Sequence, residues 1–170
     1  MSTPSHRVVV TDANVLINLM HVTRLSLLND LTGYQFVVPD HVRLEITNPD
    51  QAAVLDEAVT QGWLRVEAVT DMGALALFAE LVTRVDRGEA ACLALAATNG
   101  WMVASDEKRR FRREAKTRLG EFNILRTQDL FVLAIDAGLI TVEEADADKA
   151  VLERHRFKMS FASFRELVKQ

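Results

Sequence analysis

Two acidic residues stand at positions where a carboxylate could take part in catalysis or metal binding. Asp12 follows closely on the apolar run at residues 8–10, and Asp106 follows the apolar run at 101–104. Runs of this length and composition favour short strands that are covered on both faces. Open α/β folds place functional groups at the carboxyl ends of such strands. Asp12 and Asp106 are therefore predicted to share one sheet edge, although either alone could equally be a helix cap.

Two further acids are candidates for the same edge. Glu89 is the only polar residue in segment 89–97, which is predicted to be a buried helix. An unpaired buried carboxylate is costly, and the alternative for Glu89 is a capping box with Asp86, three residues earlier. Glu45 lies three residues after Val42 and shares a helix face with it, which would turn it toward the sheet. The alternative for Glu45 is an ordinary surface glutamate.

Four clustered carboxylates would repel one another unless protons or cations neutralised them. Like charges about 4 Å apart repel by roughly 4 kcal/mol per pair at an effective dielectric constant of 20, so the group either takes up protons or holds metal ions. The single cysteine, Cys92, excludes a cysteine-based zinc site, and the four histidines show no metal-ligand spacing. Ligation by acids alone favours Mg²⁺ or Mn²⁺. Such a site is typical of phosphodiester chemistry, in which the ion activates water and polarises a phosphoryl oxygen.

A strongly basic segment begins two residues after Asp106. Seven of the chain's 20 Lys and Arg lie between residues 108 and 118, opposed only by Glu114. Phe111, Ala115 and Leu119 recur at four-residue spacing and predict the buried stripe of a helix, so most basic side chains must face outward. A solvated charged face is the usual meaning of such a run, but beside an acidic cleft it also suits a polyanion. The residues predicted to contact RNA are Lys108, Arg109, Arg110, Arg112 and Arg113.

Short strands and helices alternate along the chain and predict a parallel α/β sheet. Strands are predicted at residues 8–10, 36–38, 63–69, 101–104 and 122–125. Helices are predicted at residues 14–31, 49–60, 73–84, 89–97, 107–119, 128–137 and 142–156, with one or two turns at 40–46 and a packed C-terminal helix containing Phe161 and Phe164. No repeat or linker divides the 170 residues, so one domain is expected.

The overall composition, with 49% hydrophobic and 26% charged residues, is that of a soluble globular protein. No apolar run approaches the roughly 18 residues that a membrane span needs, and the first seven residues lack the pattern of a secretory signal. A cytoplasmic protein without membrane association is expected. The net charge of −4 argues mildly against a nucleic-acid partner, but this average conceals the basic segment.

The motifs and their order resemble those of PIN-domain ribonucleases over residues 7–140. The elements that carry the resemblance are the strand and acid at 8–14, Val38-Pro39 followed by Val42 and Glu45, Asp86-Arg87-Gly88-Glu89-Ala90, and Ser105-Asp106-Glu107. The resemblance implies a three-layer α/β/α fold in which five parallel strands have the order 3-2-1-4-5. Strands one and four are then neighbours, which places Asp12 beside Asp106.

The resemblance also implies a function and a site. Family members are endoribonucleases that use Mg²⁺ or Mn²⁺; many are VapC-type toxins held inactive by an antitoxin, and many form homodimers. The metal-binding and catalytic acids carried over by motif are Asp12, Glu45, Glu89 and Asp106, and the residues implied to steady them by hydrogen bonding are Asn14 and Thr127. Many relatives have Asp at the positions of Glu89 and Glu107, so the number of metal ions stays open. The alternatives are a non-catalytic module that binds RNA or a partner protein, and a DNA nuclease.

Overall fold

The computed structural model describes residues 5–169, which are built around a five-stranded sheet. The strands are β1 (Arg7–Thr11), β2 (Tyr34–Pro39), β3 (Arg65–Glu67), β4 (Met102–Ala104) and β5 (Ile124–Leu125). All neighbouring strands are parallel, and their order is β3-β2-β1-β4-β5. Helices flank the sheet, so the predicted three-layer α/β/α fold and its strand order are confirmed.

The first seven helices lie between successive strands, as parallel pairing requires, and the last two follow β5. They are α1 (Ala13–His21), α2 (Leu27–Asp30), α3 (Asp40–Glu45), α4 (Pro49–Thr60), α5 (Met72–Leu81), α6 (Arg87–Asn99), α7 (Arg110–Leu119), α8 (Thr127–Asp136) and α9 (Val142–Arg154). Within residues 5–169, every helix falls short of the length and hydropathy that crossing a membrane would require.

The central position of β1 follows from its composition. Val9 pairs with Phe36 of β2 on one side and with Met102 of β4 on the other. Val9 and Val10 are fully buried, because a strand covered on both faces must be apolar on both. The acid that ends this strand is therefore held at the middle of the sheet edge.

The prediction of a single helix over residues 14–31 is wrong, because the chain forms two helices there. α1 ends in a Schellman motif, in which the N–H of Arg24 donates to the carbonyl of Leu19 at 2.8 Å and the N–H of Thr23 donates to that of Met20 at 3.1 Å. Thr23 has a φ of +57°, at a position that glycine usually occupies. The sequence carries no glycine there to signal the break.

The basic helix also begins later than predicted, at Arg110 and not at residue 107. Arg109 has a φ of +56°, which a right-handed helix cannot include. Side chains also hold the loop before it: Asp106 N–H donates to Asn14 at 3.2 Å, and Glu107 N–H donates to Ser105 at 3.1 Å. The loop from residue 105 to residue 109 is therefore shaped by the site and not by helix propensity.

Two elements near the C-terminus are shorter than predicted. Residues Glu121–Asn123 form a 3₁₀ turn, so β5 keeps only two residues, and Phe122 is 95% exposed. The predicted C-terminal helix is a single 3₁₀ turn, Phe164–Glu166. Phe164 is fully buried, and its N–H donates to Asp146 at 2.8 Å. Side-chain burial and capping fix this segment without a full helix.

Candidate functional site

Asp12 lies at the junction of β1, β4 and α1. Its N–H donates to the carbonyl of Ala104 at 2.9 Å, which joins the ends of the two central strands. Its Oδ1 accepts from the N–H of Ala13 at 2.8 Å, and its Oδ2 accepts from the hydroxyl of Ser105 at 3.0 Å. Asp12 is thus the N-cap of α1, as the alternative interpretation proposed, but it is also only 3% exposed. Burial raises the pKa of Asp12 to about 6, against the opposing effect of these hydrogen bonds.

Glu107 belongs to the same cluster through two side-chain bridges. Ser105 donates to Asp12 and accepts from the N–H of Glu107. Asn14 donates to Glu107 Oε1 at 3.0 Å while its own carbonyl oxygen accepts from the N–H of Asp106. Repulsion from Glu45 and Glu107 adds to the increase in the pKa of Asp12. Glu107 is therefore an electrostatic neighbour of Asp12.

Asp106 turns its carboxylate toward the first turn of α8. Its Oδ1 accepts from the N–H of Thr127 at 2.8 Å, and its Oδ2 accepts from the hydroxyl of Thr127 at 2.5 Å and from Asn18 at 3.0 Å. Burial raises the pKa of Asp106, while the bonds from Thr127 and Asn18 and the charge of Arg126 oppose the increase. Since a helix N-terminus favours negative charge, this carboxylate is held in place by α8.

Glu45 reaches the site from the end of α3. Although Glu45 is exposed as a residue, its Oε1 accepts from the N–H of Gly88 at 2.9 Å. A Cβ atom on Gly88 would lie 2.6 Å from Glu45 Oε2, so this close approach requires glycine. Burial of the carboxylate against α6 raises the pKa of Glu45. Glu45 is thus tied to the turn that also carries Glu89.

Glu89 is half-buried in the first turn of α6. Its Oε2 accepts from the N–H of Asp86 at 3.1 Å, which is the capping contact that the sequence offered as an alternative. Burial raises the pKa of Glu89 to about 7, and repulsion from Glu107 and Asp12 adds to this increase. The capping contact occupies one carboxylate oxygen, so Glu89 both caps α6 and faces the other acids.

The chemistry of these groups fits a hard divalent cation, but the side chains do not enclose one. Among residues 5–169, no three His, Cys, Asp or Glu side chains lie close enough together to hold a metal ion. Within the same range, hydrogen bonds engage only one carboxylate oxygen in each of Glu45, Glu89 and Glu107. A carboxylate offers about four lone pairs, so each of these glutamates keeps an oxygen that can bind a metal ion. Rotation of the glutamate side chains would turn that oxygen toward the ion.

The basic residues divide into paired and free groups. Lys116 pairs with Glu121 at 3.3 Å, and Arg118 pairs with both Glu114 and Glu80. The five residues predicted to contact RNA have no ion-pair partner among the described part of the chain, and all except the half-buried Arg112 are exposed. These five are Lys108, Arg109, Arg110, Arg112 and Arg113, which we call the basic ridge. The ridge offers uncompensated positive charge beside the acids.

Three residues of the site were not selected from the sequence. Glu107 was noted only as a departure from the family pattern, although an acid directly after a strand-end acid is itself a signal. Asn18 is buried and lies one helical turn beyond Asn14, a spacing that places both on one face of α1. Ser105 carries no signal beyond its position between β4 and Asp106. Their roles depend on contacts between distant segments.

Five parallel strands in the order β3-β2-β1-β4-β5, with acids gathered at the carboxyl ends of β1 and β4, form a nuclease-like fold. The model of the family described as PIN domain matches residues 8–169, and the chain belongs to this family. PIN domains are generally nucleases that use divalent metal ions. A search of curated proteins finds no match to the chain.

Proposed function

We propose that the protein is an endoribonuclease that depends on Mg²⁺ or Mn²⁺. The observation that carries this proposal is the gathering of acids around Asp12: Glu45 and Glu107 repel it, and Asp12 and Glu107 in turn repel Glu89. Carboxylates that repel one another around the buried Asp12 are stabilised by a cation that neutralises them. Family membership supports the same conclusion independently.

Asp12, Glu45 and Glu89 would hold the cation, together with Asp106 as the fourth predicted ligand and Glu107 as an addition from the structure. When bound, a divalent cation supplies charge stabilisation and an activated water for in-line attack on a phosphodiester. Ser105 fixes the rotamer of Asp12, while Thr127 and Asn18 fix Asp106. Asn14 holds the loop that carries Asp106 and Glu107 against α1. The two aspartates are thus positioned before substrate arrives, and rotation of the glutamate side chains would complete the site.

The basic ridge supports a polyanionic substrate. The ridge begins two residues after Asp106, and its side chains lack ion-pair partners among residues 5–169, so their charge is available to phosphates. An RNA strand lying along the ridge would pass its backbone over the acidic cluster. We propose RNA and not DNA as the substrate because the sequence resembles PIN-domain ribonucleases.

We further propose that the enzyme is the toxin of a toxin–antitoxin pair and acts as a homodimer. This proposal rests on the family resemblance, in which an antitoxin blocks the acidic cleft. Induced expression in a bacterial host should arrest growth, and co-expression of a small DNA-binding protein encoded next to it should restore growth. Arrest that Asp12→Asn leaves intact would contradict the proposal.

The activity is tested by incubating purified protein with single-stranded RNA and, in parallel, with DNA of the same sequence. We expect RNA cleavage with Mn²⁺, none with EDTA, and none with Asp12→Asn. Asp136→Asn is the matched control, because Asp136 is an exposed acid at the end of α8, and it should cleave at the wild-type rate. RNA binding without cleavage in either condition would favour the non-catalytic alternative, and DNA cleavage would favour the DNA nuclease.

The basic ridge is tested separately by its salt dependence. The triple variant Lys108→Gln, Arg110→Gln, Arg113→Gln should lower RNA affinity and reduce the slope of log K against log salt by about 2, since each single-strand phosphate contact contributes about 0.7. Lys116→Gln is the control, because Lys116 is already paired with Glu121. An unchanged slope in the triple variant would show that the ridge is only a solvated face.

A further inference from the structure

A cleft of about 630 Å³ opens beside Asp106 and Glu107, and neither Glu45 nor Glu89 lines it. Its walls come from α1, the loop after β4, the start of α8 and the segment at residues 155–160 that follows α9. The last of these lies outside residues 7–140, the range whose motifs carry the family resemblance. The cleft is therefore continuous with the acidic cluster but is built largely from other residues.

The charge of the cleft is positive. Lys108, Arg126, Arg156 and Lys158 line it, against the two acids Asp106 and Glu107. Within residues 5–169, Lys108, Arg156 and Lys158 have no ion-pair partner, and Arg126 contacts Asp129 only at 3.6 Å. Free cations around an open cleft favour an anionic ligand.

The segment after α9 is anchored so that its cations face the cleft rim. Met159 is buried and Phe157 is half-buried, while Arg156 and Lys158 beside them are exposed. The N–H of Phe157 donates to the carbonyl of Leu152 at 3.0 Å, which closes a Schellman motif at the end of α9. The two cations are thus carried on a fixed backbone.

Arg156 occupies the glycine position of that motif. Its φ is +66°, in the left-handed region that disfavours side chains. Glycine would adopt this conformation without strain. The side chain of Arg156 is therefore not required by the local backbone, and its removal can be tested without weakening the turn.

Two histidines form an aromatic end to the cleft. The rings of His21 on α1 and His155 after α9 stack with their centroids 3.7 Å apart and an interplanar angle of 13°. His155 is nevertheless exposed as a residue and lines the cleft, so part of its ring surface is available for a further aromatic contact. Aromatic faces beside a positive groove are the usual means of holding single-stranded nucleic acid.

We propose that this cleft binds the single-stranded RNA next to the cleaved bond. Arg156 and Lys158 contact phosphates, and His155 stacks on a base. This assignment rests on the proposed function for the identity of the ligand, but its test does not depend on cleavage.

The probe is a fluorescein-labelled single-stranded RNA of about 12 nucleotides, within the range of known single-strand sites. Its affinity for the full chain is measured by fluorescence anisotropy in EDTA at several salt concentrations. The variants are Arg156→Gly with Lys158→Gln, and His155→Ala. The matched control is Arg154→Gln, since Arg154 is exposed on the same helix end but does not line the cleft.

The double variant should bind roughly 25-fold more weakly at 0.1 M salt, because a single-strand contact with a slope of about 0.7 contributes about fivefold there. Its salt slope should fall by about 1.4. His155→Ala should bind roughly tenfold more weakly with an unchanged slope, because stacking is not ionic. Arg154→Gln should bind as the wild type does. Urea unfolding should show that Arg156→Gly is at least as stable as the wild type.

Wild-type affinity and slope in the double variant would overturn the assignment. If the proposed function failed and no metal-dependent cleavage occurred, the binding differences in EDTA would still be measured. Conversely, suppose that the double variant binds and cleaves like the wild type while Asp12→Asn is inactive. That result would overturn only the assignment of the cleft, and the proposal of a nuclease would stand.

Discussion

Replacing Asp12 by asparagine should stabilise the protein while abolishing its activity. Burial raises the pKa of Asp12 from 3.8 to about 6. A carboxyl group whose pKa is raised by folding stabilises the folded state fully below pH 3.8, and this contribution is lost as the pH rises through 6. Asp12→Asn keeps the shape of the side chain but carries no charge at any pH.

The size of the expected gain in stability follows from the increase in the pKa of Asp12. About two pKa units at about 1.4 kcal/mol each amount to about 3 kcal/mol of burial penalty in the wild type at pH 8. The substituted amide can still accept from Ala13, but the hydroxyl of Ser105 loses its carboxylate acceptor, which costs about 1 kcal/mol. We therefore expect Asp12→Asn to gain about 2 kcal/mol at pH 8.

The assay is urea unfolding in EDTA, followed by the fluorescence of Trp63 and Trp101. The advantage of the variant should shrink by roughly 1 kcal/mol between pH 8 and pH 5, because the wild-type carboxyl is largely protonated below its folded-state pKa. Asp136→Asn should differ from the wild type by at most about 0.5 kcal/mol at both pH values, as expected for an exposed position.

A variant that is less stable than the wild type at pH 8 would refute this reasoning. It would mean that the hydrogen bonds of Asp12 outweigh the cost of burying its charge. The acidic cluster would then be a stabilising network of caps, with no excess negative charge for a cation to neutralise.

Three further predictions concern the rest of the site. Mn²⁺ at 100 times its dissociation constant should raise the free energy of unfolding of the wild type by about 2.7 kcal/mol, and thermal unfolding should detect little or no such gain in Asp12→Asn. Thr127→Val should lose about 2 kcal/mol in urea unfolding and lower kcat more than it changes KM, because it removes a hydrogen bond to Asp106; equal stability would contradict this. Gly88→Ala should weaken Mn²⁺ binding in calorimetry at little cost in stability, since it displaces the carboxylate of Glu45, whereas Gly73→Ala, at the same position of another helix, should bind Mn²⁺ as the wild type does.

The sequence predicted the sheet well because its signals are local. Valine runs, strand-end acids and the alternation of strands with helices depend on neighbouring residues, and the family pattern supplied the strand order. The break after α1 was missed because Thr23 stands where glycine would have marked the helix end. The start of α7 was missed because Asn14, more than 90 residues away, binds the loop before it.

The sequence by itself determined which acids reach the edge of the sheet, since β1 ends just before Asp12 and β4 ends two residues before Asp106. Only the tertiary structure decided how they face one another. The N-terminus of α8 holds the carboxylate of Asp106, and Glu107 joins Glu45 as a neighbour that repels Asp12. His21 and His155 are likewise far apart in the sequence, and their stacked rings form one end of the cleft. Side-chain direction depends on donors and rings from distant segments, and no local pattern records where those segments meet.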